Sequence, residues 1–193
     1  MKVLHLDSSA LGTASASREL TAAVVRQLRA DSPHVEVSYR DLDAQPLPHF
    51  TGATLAKSNP AEAELAKAVL DEFLAADVVV IGAPMYNFSL PSTLKAWIDR
   101  IAVAGVTFRY TANGPEGLAG GKRVIVASTR GGVYGDASPA DFQEAYLRQV
   151  FAFIGISDVE ILRAEGLNLS PESRKQGLDA AHARITRTEA HAA

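Results

Sequence analysis

The chain has 193 residues, 47% of them hydrophobic and 21% charged, which excludes a disordered tail and suits one domain spanning 1–193. Nineteen basic against 22 acidic side chains leave a net charge of −3, with no electrostatic footprint for nucleic acid or an anionic membrane surface. The absence of cysteine removes disulfides, thiolate metal sites, iron–sulfur clusters and cysteine nucleophiles together.

Val3 to Leu6 reads as a first strand, ended by Asp7-Ser8-Ser9. A helix follows from about Ser17, with Leu20, Val24 and Leu28 as its apolar stripe and Ser15 or Ser17 as its cap. Val35 to Tyr39 alternates apolar and polar residues, as an edge strand does. Ala44 to Asn59, with Pro46, Pro48 and Gly52, predicts a loop or a broken helix. Pro60 suits the first turn of a helix running to about Ala76, with Leu65, Val69 and Phe73 on one face. Val78-Val79-Val80-Ile81 is unbroken and β-branched, the pattern of a central strand covered on both faces. A helix from near Pro91 carries Leu94, Trp97, Ile98 and Ile101. Gly105 to Gly121 reads as an excursion or hairpin holding Phe108 and Tyr110. Arg123 to Ala127 is a further strand, Pro139 to Ile154 a helix, Val159 to Leu162 the last strand, and Pro171 to about Arg187 the last helix.

Five strands alternating with helices define an α/β class with a parallel sheet. Right-handed crossovers then favour a doubly wound, three-layer sandwich. An edge position for Val35–Tyr39 and a central one for Val78–Ile81 are met by strand order 2-1-3-4-5. The short apolar run at the N-terminus stops at Asp7, unlike a signal peptide. The longest uncharged stretch, Val78 to Leu94, is interrupted by Pro84, Asn87, Ser89, Pro91 and Ser92, unlike a membrane span. A soluble, cytoplasmic protein is the expectation.

Ligands of such sheets bind outside the carboxyl ends of the strands, at the switch between the first and third. Three loops fall there. Asp7 to Ser17 holds five hydroxyl residues and opens a helix, whose free N–H groups and dipole favour an anion. It lacks the G-x-G-x-x-G spacing of a dinucleotide site, and no Walker pattern precedes Lys122, so a monophosphate is favoured over a pyrophosphate. Its plain alternative is a polar turn with serine caps. Ala83 to Pro91 places Met85, Tyr86 and Phe88 just past a buried strand, which suits a flat, partly apolar ligand, or else a small apolar plug. Ser128 to Gly135 offers paired glycine amides and Arg130, or is simply a mobile glycine turn with a surface arginine. Together they describe a flavin mononucleotide site better than any other common ligand. The histidines (His5, His34, His49, His182, His191) are scattered without metal-ligand spacing, and the loops carry no acid except Asp7 and Asp136.

With those residues in view, the chain resembles the FMN-dependent NADH:azoreductases, also described as NADH:quinone oxidoreductases, of flavodoxin-like fold. The matching segments are KVLHLDSS, APMYNFSLPSTLKAWID, AGVTFRYTANGPEGL, VIVASTRGG and FIGISDVEILRAEG, in order along nearly the whole chain. The resemblance implies a homodimer with one FMN per subunit, NADH as donor, and a small-molecule quinone or azo acceptor, with ping-pong transfer through flavin N5 and no catalytic side chain. It implies phosphate contacts at Ser9, Ser15, Ala16 and Ser17, and ring contacts at Met85, Tyr86, Asn87 and Phe88. A third contact segment is Thr129, Arg130, Gly131 and Gly132, where many relatives have serine in place of Thr129. Tyr110 matches an aromatic that covers the flavin from the partner subunit. Within this picture the Tyr86-to-Phe88 amides would contact N5, and the Gly131 or Gly132 amides would support negative charge on the ring. Trp97 and the aromatic excursion suggest the dimer contact. The alternative functions are a flavodoxin-like electron carrier not reduced directly by NADH, a nicotinamide dehydrogenase with Asp41 gripping a ribose, and a flavin-binding interaction module.

Overall fold

The computed structural model describes residues 1–136 and 138–185; His191 and the expected end of the last helix at Arg187 lie outside them. Five parallel strands, β1 (Lys2–Asp7), β2 (Glu36–Asp41), β3 (Val78–Pro84), β6 (Arg123–Thr129) and β7 (Asp158–Ala164), form one sheet in the order β2-β1-β3-β6-β7. Between β3 and β6 the chain also forms a separate antiparallel hairpin, β4 (Phe108–Thr111) and β5 (Gly114–Gly117). All of β3 is buried, whereas β2 is half exposed at the edge.

Alternate residues of each strand point to opposite faces, and the two faces bury different helices. Leu4, Leu6, Val79, Ile81, Val124 and Val126 pack with Phe73 of α3 (Pro60–Ala75), Trp97 of α4 (Ser92–Ile101) and Phe151 of α5 (Phe142–Phe153). Val3, Val78, Val80 and Ile125 pack with Leu20 and Val24 of α1 (Ala16–Asp31) and Ala181 of α6 (Pro171–Ile185). The unbroken Val78–Ile81 run is thus read from both sides, the physical reason it lacks polar alternation.

The stretch Ala44–Asn59, expected as a loop or a broken helix, holds a short helix, α2 (Gly52–Ala56), opened by a Thr51–Thr54 capping box and closed by Lys57 at φ 52°. Two local expectations are corrected. Helix α5 starts at Phe142 rather than near Pro139, because the Asp141 carboxylate accepts from the Gln143 and Glu144 N–H groups at 3.0 and 3.1 Å. Trp97 is wholly buried, edge-on to Phe73 with centroids 5.8 Å apart, so it offers no surface to a second subunit.

The hairpin is fastened to the far end of α5. Phe108 stacks on Phe153 at 4.5 Å, and Gly117 of β5 passes directly over Gly155. A Cβ added at Gly117 would stand 2.1 Å from the Gly155 nitrogen, a backbone atom that has nowhere to go. Gly117→Ala should therefore lift the hairpin and cost about 1–3 kcal/mol. Thermal unfolding checks this; a Tm equal to the wild type would mean that the close approach is not required.

Candidate functional site

The parallel register brings the carboxyl ends of β1, β3 and β6 side by side, and the loops that follow them are bonded to one another. The Tyr86 hydroxyl lies 3.2 Å from Ser9 Oγ and accepts from the Ala10 N–H at 3.1 Å, joining the second loop to the first. Met85 N–H donates to the Thr129 carbonyl at 2.8 Å, joining the second to the third. The Phe88 and Tyr134 rings meet edge to face at 6.4 Å. Gln143 Nε2 ties α5 to the Ala83 and Pro84 carbonyls at 2.9 and 3.2 Å. All three predicted loops are thus one cluster.

Ser15 caps α1: its Oγ accepts from the Arg18 N–H at 3.3 Å and lies 3.0 Å from Ser17 Oγ. Ser9, Ser15, Ala16 and Ser17 are all buried, an unusual place for a run of hydroxyls. Among the described residues, the Ala16 and Ser17 N–H groups meet no protein acceptor, as expected of a helix's first turn. Arg18, on the first turns of α1, is committed elsewhere. Arg18 forks onto Asp41 at 2.6 and 2.8 Å and donates to the Ser9 carbonyl at 3.0 Å. That pairing holds the Asp41 carboxyl down to about 2. It also removes Asp41 as a ribose clamp, so the dehydrogenase alternative loses its residue.

Beneath the serine loop Asp7 is buried. Burial pushes its carboxyl up, but the His5 ring at 3.6 Å and the Thr21 and Tyr39 hydroxyls at 2.9 and 3.0 Å outweigh it and hold the carboxyl below its usual value. Burial and the Asp7 charge together push the Tyr39 phenol up to about 12. Asp7 is therefore an anionic anchor for the loop's floor, not an exposed acid.

The second loop is a two-residue turn. Tyr86 and Ser89 exchange N–H···O bonds of 2.8 and 3.0 Å, and both central residues are left-handed, Asn87 at φ 49° and Phe88 at φ 69°. This is the pattern of a type I′ turn, whose second position strongly favours glycine. A phenylalanine there is strained, and 51% of its surface is exposed. The Tyr86 N–H is used inside the turn, so it is not available to a ligand, whereas those of Asn87 and Phe88 have no protein acceptor among the described residues.

The third loop corrects the expectation for Arg130. Its side chain is 1% exposed and pairs with Asp141 at 2.6 Å, Glu165 at 3.2 Å and Glu144. Its own N–H and carbonyl bond Ala164 and Leu167 at 2.9 and 3.1 Å. The Arg130 side chain thus faces the protein. The N–H groups of Gly131 and Gly132 meet no acceptor among the described residues, and Thr129 is buried beside them. Asp136 sits at the exposed end of this loop, paired with Arg163 at 2.6 Å, which holds its carboxyl below the usual range. Tyr110 is not brought to this cluster. It is 75% exposed on the hairpin, which packs at the opposite end of α5, about 16 Å of helix rise away.

Glu165, Gln143 and Arg18 were not singled out from the sequence, although each holds one of the loops. For Glu165 a signal was present, since it too follows the carboxyl end of a strand. No group of three or more metal-ligating side chains occurs among the described residues, and no helix there is long and apolar enough to cross a membrane.

A parallel α/β sheet whose strand-end loops gather at the switch between β1 and β3 defines the class of open doubly wound α/β proteins. Within that class, the chain belongs to the Flavodoxin_2 family, whose model, described as a flavodoxin-like fold, matches residues 1–188. It is 65% identical over 192 residues to FMN-dependent NADH:quinone oxidoreductase 1 of Xanthomonas axonopodis pv. citri (strain 306), covering 100% of this chain and 99% of that one. It is 60% identical to the FMN-dependent NADH:quinone oxidoreductase of Stenotrophomonas maltophilia (strain K279a), covering 96% and 94%. Among solved structures, azoreductase AzrA superposes with a TM-score of 0.88 at 28% identity, covering 97% of this chain and 98% of that one.

Proposed function

We propose that this protein is an FMN-dependent oxidoreductase that uses NADH to reduce quinones and azo compounds, acting as a homodimer in the cytoplasm. One observation carries the reading: the serine loop, the strained turn and the glycine loop converge, with backbone N–H groups uncommitted in all three. The relatives of 60 and 65% identity, named for this reaction, support it along the full chain. The residues present fit FMN. Buried hydroxyls and the α1 N-terminus suit its phosphate, the Met85–Phe88 turn suits its ring, and the glycine amides suit its polar edge.

FMN held by these residues would supply two-electron redox chemistry at N5, between NADH as donor and the quinone or azo acceptor in ping-pong order. The chain's own groups bind and orient. Ser9, Ser15 and Ser17 hold the phosphate by neutral hydrogen bonds, since Arg18 is tied to Asp41. Asn87 and Phe88 offer N–H groups to the ring, and Gly131 and Gly132 offer theirs to the negative charge that it gains. Exposed Phe88, Val133 and Phe142 form an apolar rim suited to a flat aromatic acceptor. Tyr110, remote from its own cluster, serves as a lid only over the site of a second copy.

Phe88→Gly separates ligand contact from fold. Relief of about 1–2 kcal/mol of left-handed strain should leave stability unchanged or higher, while FMN affinity falls several-fold. Thermal unfolding and FMN titration read the two effects; a destabilised variant with intact affinity would place the ring in the fold rather than at the ligand. The reading as a whole is tested by the anaerobic visible spectrum of the FMN-loaded protein. Bleaching by NADH is expected, and a flavin band that NADH leaves intact would reassign the chain to electron carriage.

A further inference from the structure

The segment after β7 braces the glycine loop from below. The Gly166, Leu167 and Asn168 N–H groups donate to the carbonyls of Gly132, Arg130 and Gly131 at 2.8, 3.1 and 3.0 Å, so these three carbonyls are all consumed. Glu165 works in the other direction. Its Oε1 accepts from the Tyr134 N–H at 3.2 Å and its Oε2 from the Gly135 N–H at 3.3 Å. The same Oε1 takes Arg130 Nη1 at 3.2 Å. The Arg130 guanidinium also lies 5.7 Å from the centre of the Tyr134 ring, which in turn meets Phe88 of the strained turn. The result is a loop whose Arg130, Gly131 and Gly132 carbonyls bond the protein while the Gly131 and Gly132 N–H groups meet no acceptor among the described residues.

We infer that Glu165 is a positioning residue: held by the buried Arg130, it fixes the backbone of Tyr134 and Gly135 so that the Gly131 and Gly132 N–H groups are presented to the ligand. The inference rests on the reading of this edge as the flavin site. It assigns Arg130 a role through Glu165 in place of direct contact. A buried cation with several carboxylates is a stiff, geometrically demanding anchor, which suits a loop that must hold amide dipoles ready before charge develops. Gly131 packs against the same segment, because a Cβ there would stand 2.6 Å from the Asn168 side-chain nitrogen and force that side chain to shift.

Two measurements on folded Glu165→Ala test this. FMN affinity, read by fluorescence quenching, should fall about tenfold. The two-electron potential of bound FMN should fall by about 30 mV, because losing ordered donors weakens the reduced form about tenfold more than the oxidised one. Glu165→Gln, which keeps one accepting oxygen on the same stem, should lie between alanine and wild type. Should alanine not fold, Glu165→Asp, with its oxygens withdrawn by one methylene, carries the same prediction in milder form. A folded variant with a lower Tm but unchanged affinity and potential overturns the inference, as does glutamine no better than alanine. A wild type that binds no FMN sinks the functional reading instead. In that case amide exchange at Tyr134 and Gly135 still decides the brace: faster exchange in the alanine variant upholds it and equal exchange overturns it.

Discussion

Replacing Ser9, Ser15 and Ser17 together by alanine should weaken FMN binding by about a hundredfold. Ser9 is buried just past β1 and Ser15 and Ser17 at the opening of α1, and each hydroxyl retains hydrogen-bonding capacity beyond its bonds to Tyr86, Leu11, Arg18 or its neighbour serine. A net value of about 1 kcal/mol per hydrogen bond gives about 3 kcal/mol, and each 1.4 kcal/mol is about tenfold. Arg18 does not compensate, because it is forked onto Asp41. Ser15 is also the cap of α1, so the variant should lose about 1 kcal/mol of stability as well. Affinity must therefore be measured where the variant is fully folded. An unchanged dissociation constant there would remove the phosphate from this loop.

The largest expected stability effect is at Arg130. Arg130→Met leaves Asp141, Glu144 and Glu165 without their shared buried partner. Glu144 keeps Arg163, at 2.7 and 2.9 Å, and Asp141 keeps its capping N–H groups, but Glu165 loses its ion pair. Breaking a buried pair from one side costs about 3–5 kcal/mol, because the stranded charges are not returned to water. Against a typical stability of about 5–15 kcal/mol, that lowers Tm by about 6–20 °C, at about 2–4 °C per kcal/mol for a chain of this size. The exposed Arg109–Glu116 pair on the hairpin is the control, and Arg109→Ala should leave Tm unchanged. A small Tm change in Arg130→Met would mean that the guanidinium is more accessible than its contacts indicate.

Much of this arrangement was legible along the chain, for reasons that can be stated residue by residue. The β-branched run Val78–Ile81 announces a doubly covered strand because nothing polar survives there. The stripes Leu20–Val24 and Val69–Phe73 announce helices because burial follows their period. Loop position follows from topology, so the hydroxyl, aromatic and glycine segments declared themselves as neighbours. Boundaries were less legible. Pro139 marks a plausible helix start, yet Asp141 has the carboxylate that satisfies the first turn's N–H groups.

Local pattern and composition by themselves determined the class of the fold, the strands and helices, and the three loops at one edge. Only the tertiary structure decided which groups in those loops remain free. Arg130 reads as a ligand contact or a surface cation until Asp141, Glu144 and Glu165 enclose it. Trp97 reads as an interface residue until Phe73 covers it. Asn87 and Phe88 show their left-handed backbone only once Tyr86 and Ser89 close the turn. Glu165 acquires its role from two N–H groups about thirty residues away. Periodicity is written by short-range geometry and survives in one dimension, whereas the commitment of a charge or an amide is a competition among partners that only folding brings within 3 Å of each other.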